Sequence, residues 1–152
     1  MIQRVKQILE RLGVQYAVIG AMAMAARGFP RFTLDFDFLT TDKRVLDPNV
    51  WDGLVGEGVA VIVGKWKWEH RVIERAEPLE IAGTTLPVVT TSDLILLKLN
   101  AGGIKSRLDV AGLLEVGPRE QLIAEVEAKL GDLPSTAEKD ARTMWAEILS
   151  AS

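Results

Sequence analysis

Two aspartates separated by one residue form the part of this sequence best suited to chemistry. Asp35 and Asp37 alternate with Phe36 and Phe38 across residues 32–39, and this alternation predicts a β-strand. On such a strand both carboxylates point to one face, where their like charges repel each other. A divalent cation such as Mg²⁺ would relieve the repulsion, because hard cations take carboxylate ligands. The pair therefore predicts a metal site; the alternative is two ordinary aspartates on a solvated face.

A glycine turn precedes the aspartates. Ile19-Gly20-Ala21 combines a strand end, a glycine and the start of a helix. Such a turn lets backbone N–H groups approach a phosphate closely, although a plain strand–helix turn has the same composition. Arg31 and Thr33 lie just before the aspartates, and Arg31 is either a bidentate hydrogen-bond donor to a phosphate or a surface loop residue. Together these residues predict a phosphate beside the metal, as phosphoryl transfer requires.

Composition narrows the choice of metal and of setting. The chain has 152 residues, of which 48% are hydrophobic and 26% charged, and it fits a single domain spanning residues 1–152. It has no cysteine, and His70 is its one histidine, which argues against zinc and excludes disulfides. The lack of cysteine suits a reducing cytosol, so we expect a cytoplasmic protein. The net charge of −3 does not indicate a bulk affinity for nucleic acid or membrane.

Apolar runs and turn residues divide the chain into elements. Strands are predicted at residues 16–19, 32–39, 59–63, 79–81 and 86–89, the last two as a hairpin. Helices are predicted at residues 2–12 and 21–27, from Asp47 through Val55, from Thr91 to Gly102 and along the remaining chain, with a capping box at residues 135–138. The longest apolar run, residues 16–26, is too short to span a bilayer. The pattern predicts an α+β protein with a small mixed β-sheet flanked by helices and a helical C-terminal third.

The two motifs together resemble a known signature. A hydrophobic residue, Gly20 and a small residue are followed, after thirteen residues, by two acids that flank Phe36. This arrangement resembles the polymerase-β-type nucleotidyltransferase superfamily. With Gly28, Arg31 and Thr33 it is similar to the small bacterial branch that includes the AbiEii-type toxin nucleotidyltransferases, and residues 74–103 resemble that branch as well. The resemblance covers roughly residues 14–115.

The resemblance implies a fold, a reaction and a set of roles. The acid strand would be central in a nucleotidyltransferase-like sheet, and metal ions would hold the triphosphate of an NTP while a hydroxyl attacks the α-phosphate. Asp35 and Asp37 would bind Mg²⁺ as the catalytic residues. The residues that would contact the nucleotide or its phosphates are Gly20, Ala21, Arg31, Thr33 and Lys98.

One departure from the superfamily pattern bears on activity. Fully active members carry a third carboxylate on a later strand, where it helps to hold the metal and activates the hydroxyl. The matching strand here, residues 59–63, has Ala60 at the best-matching position. Glu69 or Glu74 are the nearest acids that could substitute for it. Loss of general-base help, worth about 10²–10⁴-fold, would slow turnover more than it weakens binding.

Two smaller signals have competing interpretations. Lys98 lies in an otherwise apolar helical stretch, so it is either a cation for phosphate or for the aspartates, or a lysine that extends to solvent. Trp66 and Trp68 flank Lys67 beside His70 and Arg71. Such a run either stacks bases and holds phosphates or forms a strand with one face in the core.

The main hypothesis is an Mg²⁺-dependent nucleotidyltransferase that transfers a nucleotide from an NTP to a protein, an RNA or a small molecule. The alternative is a catalytically reduced domain that binds nucleotide or a partner, such as an antitoxin, within a toxin–antitoxin or defence system. A scaffold with a vestigial site is a third interpretation. The sequence does not indicate the acceptor or the oligomeric state.

Overall fold

The computed structural model describes residues 1–29, 35–54 and 58–152, and it divides into two compact units, Met1–Thr90 and Thr91–Ser152. The prediction of a single domain stays a prediction. Within the described residues, no helix is long and apolar enough to cross a membrane.

The first unit is built on a mixed sheet. In chain order its elements are α1 Ile2–Leu12, β1 Tyr16–Ile19, α2 Gly20–Ala26, β2 Phe36–Thr40, β3 Val59–Val63, α3 Lys67–Glu74, β4 Glu77–Ile81 and β5 Thr84–Val88. In the part of the chain that the structure describes, the five strands form one sheet in the order β3-β2-β1-β5-β4. β2 runs antiparallel to β1 and parallel to β3, while β5 runs parallel to β1 and antiparallel to β4. The acid strand β2 therefore lies inside the sheet, as predicted.

Aromatic rings fill the face of the sheet opposite Asp37. The Phe36 and Phe38 ring centroids lie 4.5 Å apart, and Tyr16 of β1 meets Phe38 edge-on at 5.7 Å. All three side chains are buried. Their burial fixes the register of β2, since a shift by one residue would turn the phenylalanines to the other face.

The second unit is helical. It contains α4 Thr91–Ala101, α5 Gly103–Val116, α6 Arg119–Lys129 and α7 Ser135–Ala151. Leucine, isoleucine and valine side chains of these helices form its core, together with Trp145. Two buried aspartates are paired with lysines inside this unit: Asp93 with Lys129 and Asp109 with Lys98. The helical C-terminal third is confirmed.

Some local predictions were wrong. The alternation of Trp66, Lys67 and Trp68 allows a strand, but residues 67–74 form α3, because Trp68, Val72 and Ile73 make one apolar helical face. The helix after Asp47 is a short 3₁₀ turn, Pro48–Trp51, which ends where Asp52 takes a left-handed conformation at φ 49°. No side-chain cap is made at Ser135, since that residue already lies inside α7 after Pro134. Residues 32–34 and Val55 of the predictions lie outside the described residues.

Candidate active site

Gly20 and Asp37 lie against each other in the middle of the sheet. Ile19, the last residue of β1, pairs with Asp37, and Asp37 pairs in turn with Ala60 of β3. Gly20 follows at φ +70°, and a Cβ added to it would lie 2.5 Å from Asp37 Oδ2 and 3.2 Å from its Cγ. Glycine is therefore required here both for the left-handed backbone and for the space that the carboxylate occupies.

The glycine turn is held in place from both ends. All four residues of β1 are buried, and α2 continues from Gly20 in alanine and methionine residues that favour helix. At the far end of α2, the Arg27 guanidinium donates to the carbonyl oxygens of Val88 (3.1 Å) and Val89 (3.0 Å). It also pairs with the Glu77 carboxylate at 2.9 Å. Arg27 thus anchors α2 to β5 and β4, and the turn stays beside the acid strand.

The two aspartates differ in their surroundings. Asp37 is half-buried within β2, whereas Asp35 is exposed and lies one residue before the strand. The strand begins where the Phe36 N–H donates to the Gly58 carbonyl at 2.6 Å. Continued one residue back, the alternation that buries Phe36 and Phe38 puts Asp35 on the side of Asp37. That the two carboxylates share a metal stays a prediction.

The donor set fits Mg²⁺ with two protein carboxylates. Mg²⁺ prefers oxygen ligands and is commonly held by one or two carboxylates together with substrate phosphates and water. The missing Cβ of Gly20 lets the backbone of the turn approach Asp37 Oδ2 closely, so a metal held by this carboxylate would lie near the turn. Among the described residues, no cluster of three or more Asp, Glu, His or Cys side chains could hold a metal by itself. A metal here would therefore depend on the nucleotide for its remaining ligands.

Ala60 occupies the place next to Asp37 where a third acid would stand. The parallel pairing of β2 with β3 aligns Asp37 with Ala60, and Ala60 is exposed. The two acids that the sequence offered as substitutes are engaged elsewhere. Glu69 Oε1 accepts from the backbone N–H groups of Lys65 and Trp66 at 3.0 and 3.1 Å. Glu74 pairs with His70 at 3.0 Å.

The remaining predicted site residues stay predictions. Arg31 and Thr33 lie outside the described residues. Ala21 is half-buried as the second residue of α2. Lys98 lies in the helical unit, where its Nζ is 3.0 Å from Asp109 Oδ2, a carboxylate only 1% exposed. The resemblance and the apolar helical stretch suggested Lys98 as a ligand, but neither identified Asp109 as its partner, because the two residues lie eleven positions apart on successive helices.

A cleft in the first unit collects basic residues that the sequence suggested only in part. It has a volume of about 650 Å³ and lies where β2 and β3 end. The aromatic and basic run indicated Trp66, Lys67 and Arg71. Sequence reasoning missed Lys43 and Lys65, since Lys43 begins a 3₁₀ helix, Lys43–Leu46, after β2, whereas Lys65 lies in the loop after β3. Each nevertheless lies in a short basic stretch of an otherwise acidic chain.

Comparisons with known proteins support the fold. No family model matches the chain, and no curated protein matches it. The solution structure of the antibiotic-resistance factor ANT(2'')-Ia is similar, with a TM-score of 0.60 and 13% sequence identity over 84% of this chain and 88% of that one. That protein has the polymerase-β-type fold. The similarity confirms that this chain has an α+β, nucleotidyltransferase-like fold.

Proposed function

We propose that this protein is a nucleotidyltransferase that transfers a nucleoside monophosphate from an NTP to a hydroxyl acceptor. One observation carries the proposal: the Gly20 turn and the Asp37 carboxylate are in contact, on a fold of the nucleotidyltransferase type. A turn that brings backbone N–H groups next to a carboxylate suits a ligand that is both a polyanion and a partner of a cation. An NTP with Mg²⁺ is such a ligand.

In this proposal Asp35 and Asp37 hold Mg²⁺, and Gly20 and Ala21 face the phosphates. Arg31 and Thr33 add phosphate contacts from the segment before β2. The predicted role of Lys98 stays a prediction. Because Lys98 already has the Asp109 carboxylate at 3.0 Å, any contact with a phosphate would share its charge between two anions.

The proposed reaction is a single displacement at phosphorus. The acceptor hydroxyl oxygen forms a bond to the α-phosphorus, and the bond from that phosphorus to the oxygen bridging to the β-phosphate breaks. Pyrophosphate leaves with the bond electrons, and the hydroxyl proton passes to solvent or to a base on the acceptor. Bound Mg²⁺ would supply neutralisation of the phosphate charge. The chain contributes the position of the nucleotide, through the rigid turn, and the fixed direction of Asp37.

A second candidate function rests on Ala60. With a methyl group in the place next to Asp37, the site lacks the side chain that would activate the acceptor hydroxyl. A catalytically reduced domain that binds nucleotide or a partner protein, within a toxin–antitoxin or defence pair, would need the turn and Asp37 but no third acid. Under either function we also propose that the protein belongs to the AbiEii-type branch, depends on Mg²⁺ and is cytoplasmic.

The test is transfer of an α-³²P label. The protein is incubated with each labelled NTP, Mg²⁺ and one of three acceptor pools: total RNA, total protein or a small-molecule extract. The last pool is included because the similar ANT(2'')-Ia is an antibiotic-resistance factor. The matched control is the double variant Asp35→Asn, Asp37→Asn, which keeps side-chain size and removes both charges. We expect incorporation with one pool that is lost in the control.

Binding separates the two candidates. Nucleotide at about 100 times its dissociation constant would stabilise the folded protein by about 2.7 kcal/mol. A rise in melting temperature with NTP and Mg²⁺, abolished by the double variant and without label transfer, would favour the reduced domain. If neither transfer nor stabilisation occurs, both functions are wrong.

A further inference from the structure

The basic cleft lies at the opposite end of β2 from the aspartates. The aspartates lie at the start of β2, whereas Thr41, which lines the cleft, follows its last residue. Thr41 lies four positions after Asp37, which corresponds to about 13 Å along an extended strand. An anion in this cleft is therefore held by a different set of residues from the proposed NTP site, and its binding does not depend on nucleotidyl transfer.

The cleft concentrates positive charge on an acidic protein. Its lining includes Lys43, Lys65, Lys67 and Arg71 together with Glu74, a net charge of +3 with His70 neutral, while the whole chain carries −3. Glu74 directs its carboxylate to His70 Nε2 at 3.0 Å, and not to the lysines. A cluster of positive charges raises the local concentration of a polyanion and repels cations, even on a protein whose net charge is negative.

Three of these cations have no ion-pair partner among the residues that the structure describes. Within the described chain no ion pair involves Lys43, Lys65 or Lys67, and all three are exposed. The neighbouring Arg44 is different, since its Nη2 lies 2.7 Å from Asp42 Oδ2. The hydrogen bond from Arg44 holds the pKa of Asp42 below its usual value. The lysines of the cleft are thus available to an external anion, whereas the next arginine along the chain is already neutralised.

Trp66 adds a flat apolar surface to the charged cleft. Its side chain lines the cleft at 56% exposure, while Trp51, Trp68 and Trp145 are buried. An exposed indole among lysines provides one stacking surface for a base and several contacts for phosphates. A carboxylate-rich peptide or an inorganic phosphate chain would use the lysines but not the indole.

The loop that carries Trp66 is preorganised. Gly64 N–H donates to the Thr40 carbonyl at 2.7 Å, which extends the pairing of the two strands by one residue. Glu69 Oε1 accepts from the Lys65 and Trp66 N–H groups, and the added Cβ of a residue at position 64 would lie 2.9 Å from Glu69 Cδ. Because the loop is fixed before a ligand arrives, little ordering cost opposes binding.

We propose that the cleft between the end of β2 and α3 binds single-stranded nucleic acid, with a base stacked on Trp66 and phosphates on Lys43, Lys65 and Lys67. The cleft is open and its cations are exposed, so a single strand of nucleic acid could pass across it. The volume of about 650 Å³ suits one or two nucleotides at a time.

The experiment measures anisotropy of a labelled twelve-nucleotide single strand in EDTA at 50 mM salt. The variants are Trp66→Leu and the double variant Lys65→Gln, Lys67→Gln. The matched control is Arg4→Gln, Lys139→Gln, which removes two exposed cations elsewhere. We expect Trp66→Leu to weaken binding by about 5- to 150-fold, as for a lost base stack. We expect the lysine variant to reduce the slope of log affinity against log salt by about 1.4, with the control unchanged.

Three outcomes would overturn the proposal. The first is the absence of binding by the parent protein. The second is equal binding of a duplex of the same sequence, of inorganic polyphosphate or of poly-glutamate, which would assign the cleft to another class of anion. The third is unchanged affinity in Trp66→Leu. Quenching of tryptophan fluorescence by an unlabelled strand, lost in Trp66→Leu, would place the base on the indole; circular dichroism melting checks that each variant is folded.

Discussion

The Cβ position of Gly20 lies 2.5 Å from Asp37 Oδ2, so the turn after β1 contacts the acid of β2, and any side chain at position 20 would clash with the carboxylate. A heavier residue at position 20 would move the carboxylate or the turn. The contact is therefore a direct link between backbone conformation and the chemistry proposed for the site.

Gly20→Ala tests that link. Gly13 is a matched control, because it has nearly the same φ, +68° against +70°, with nothing within 4 Å of an added Cβ. Both variants carry the left-handed strain of an alanine, about 1–2 kcal/mol. We expect the free energy of unfolding in urea to fall by at least about 1 kcal/mol more in Gly20→Ala than in Gly13→Ala. We also expect Gly20→Ala to lose the stabilisation by NTP with Mg²⁺. Equal unfolding energies and equal nucleotide responses would contradict the proposed role of the contact.

Ala60→Asp would supply the missing acid. Position 60 is exposed and pairs with Asp37, so an aspartate fits there without burial. General-base help is typically worth about 10²–10⁴-fold, and because the new carboxylate is not positioned by its surroundings, we expect nucleotidyl transfer to rise by a smaller factor, at least about tenfold. The control is Ile62→Asp, two residues along the same strand, 46% exposed and paired with Leu39. An equal rate in parent and Ala60→Asp, with both proteins folded, would show that the position has no catalytic meaning.

Lys98→Met tests whether the lysine has a structural role in the helical unit. Its Nζ lies 3.0 Å from the buried Asp109 carboxylate, and Lys98 itself is 23% exposed. Removing one partner of a buried pair costs about 3–5 kcal/mol, and the partial exposure of Lys98 places the expected loss near 3. Arg142→Met, which breaks an exposed pair with Glu138, should cost less than about 0.5 kcal/mol. Equal losses in urea unfolding would refute the assignment.

Tyr16 gives a pH-dependent prediction. Burial in the sheet, with a smaller contribution from the negative charge of Glu10, raises its pKa to about 12. Since the unfolded pKa is near 10, the neutral tyrosine stabilises the fold fully below pH 10, and this contribution, about 3 kcal/mol, is lost as pH rises through 12. Tyr16 is the one tyrosine in the chain, so absorbance at 295 nm follows it directly. A midpoint near 10 in the folded protein would show that the ring is not buried.

Strands marked by a short apolar run next to a glycine were predicted well from the sequence. β1 and β3 were predicted at their observed bounds, because short apolar runs end at Gly20 and Gly64. The hairpin of β4 and β5 follows from the apolar pattern around Gly83. Helix α3 was harder, since the alternation of Trp66, Lys67 and Trp68 imitates a strand until Glu69 folds back on the loop.

The candidate site was predictable only where chemistry depends on local spacing. Gly20 and the aspartates could be expected near each other from sequence, because only one short helix and one loop separate them; the pairing of Ile19 with Asp37 on antiparallel strands, which brings about the contact, is seen only in the structure. The Lys98–Asp109 pair could not be predicted from the sequence, nor could the meeting of Lys43 and Lys65 in one cleft. Each depends on tertiary packing between elements whose relative position the sequence pattern does not specify.

β3 is the outermost strand of the described sheet, so position 60 has a strand neighbour on one side only. A change there disturbs little packing, and an alanine codon differs from an aspartate codon by a single base. If Ala60→Asp raises the rate of transfer, the catalytic rate of this fold can change through one point mutation while the nucleotide site is kept. Selection on the site is then decoupled from selection on the scaffold that holds it.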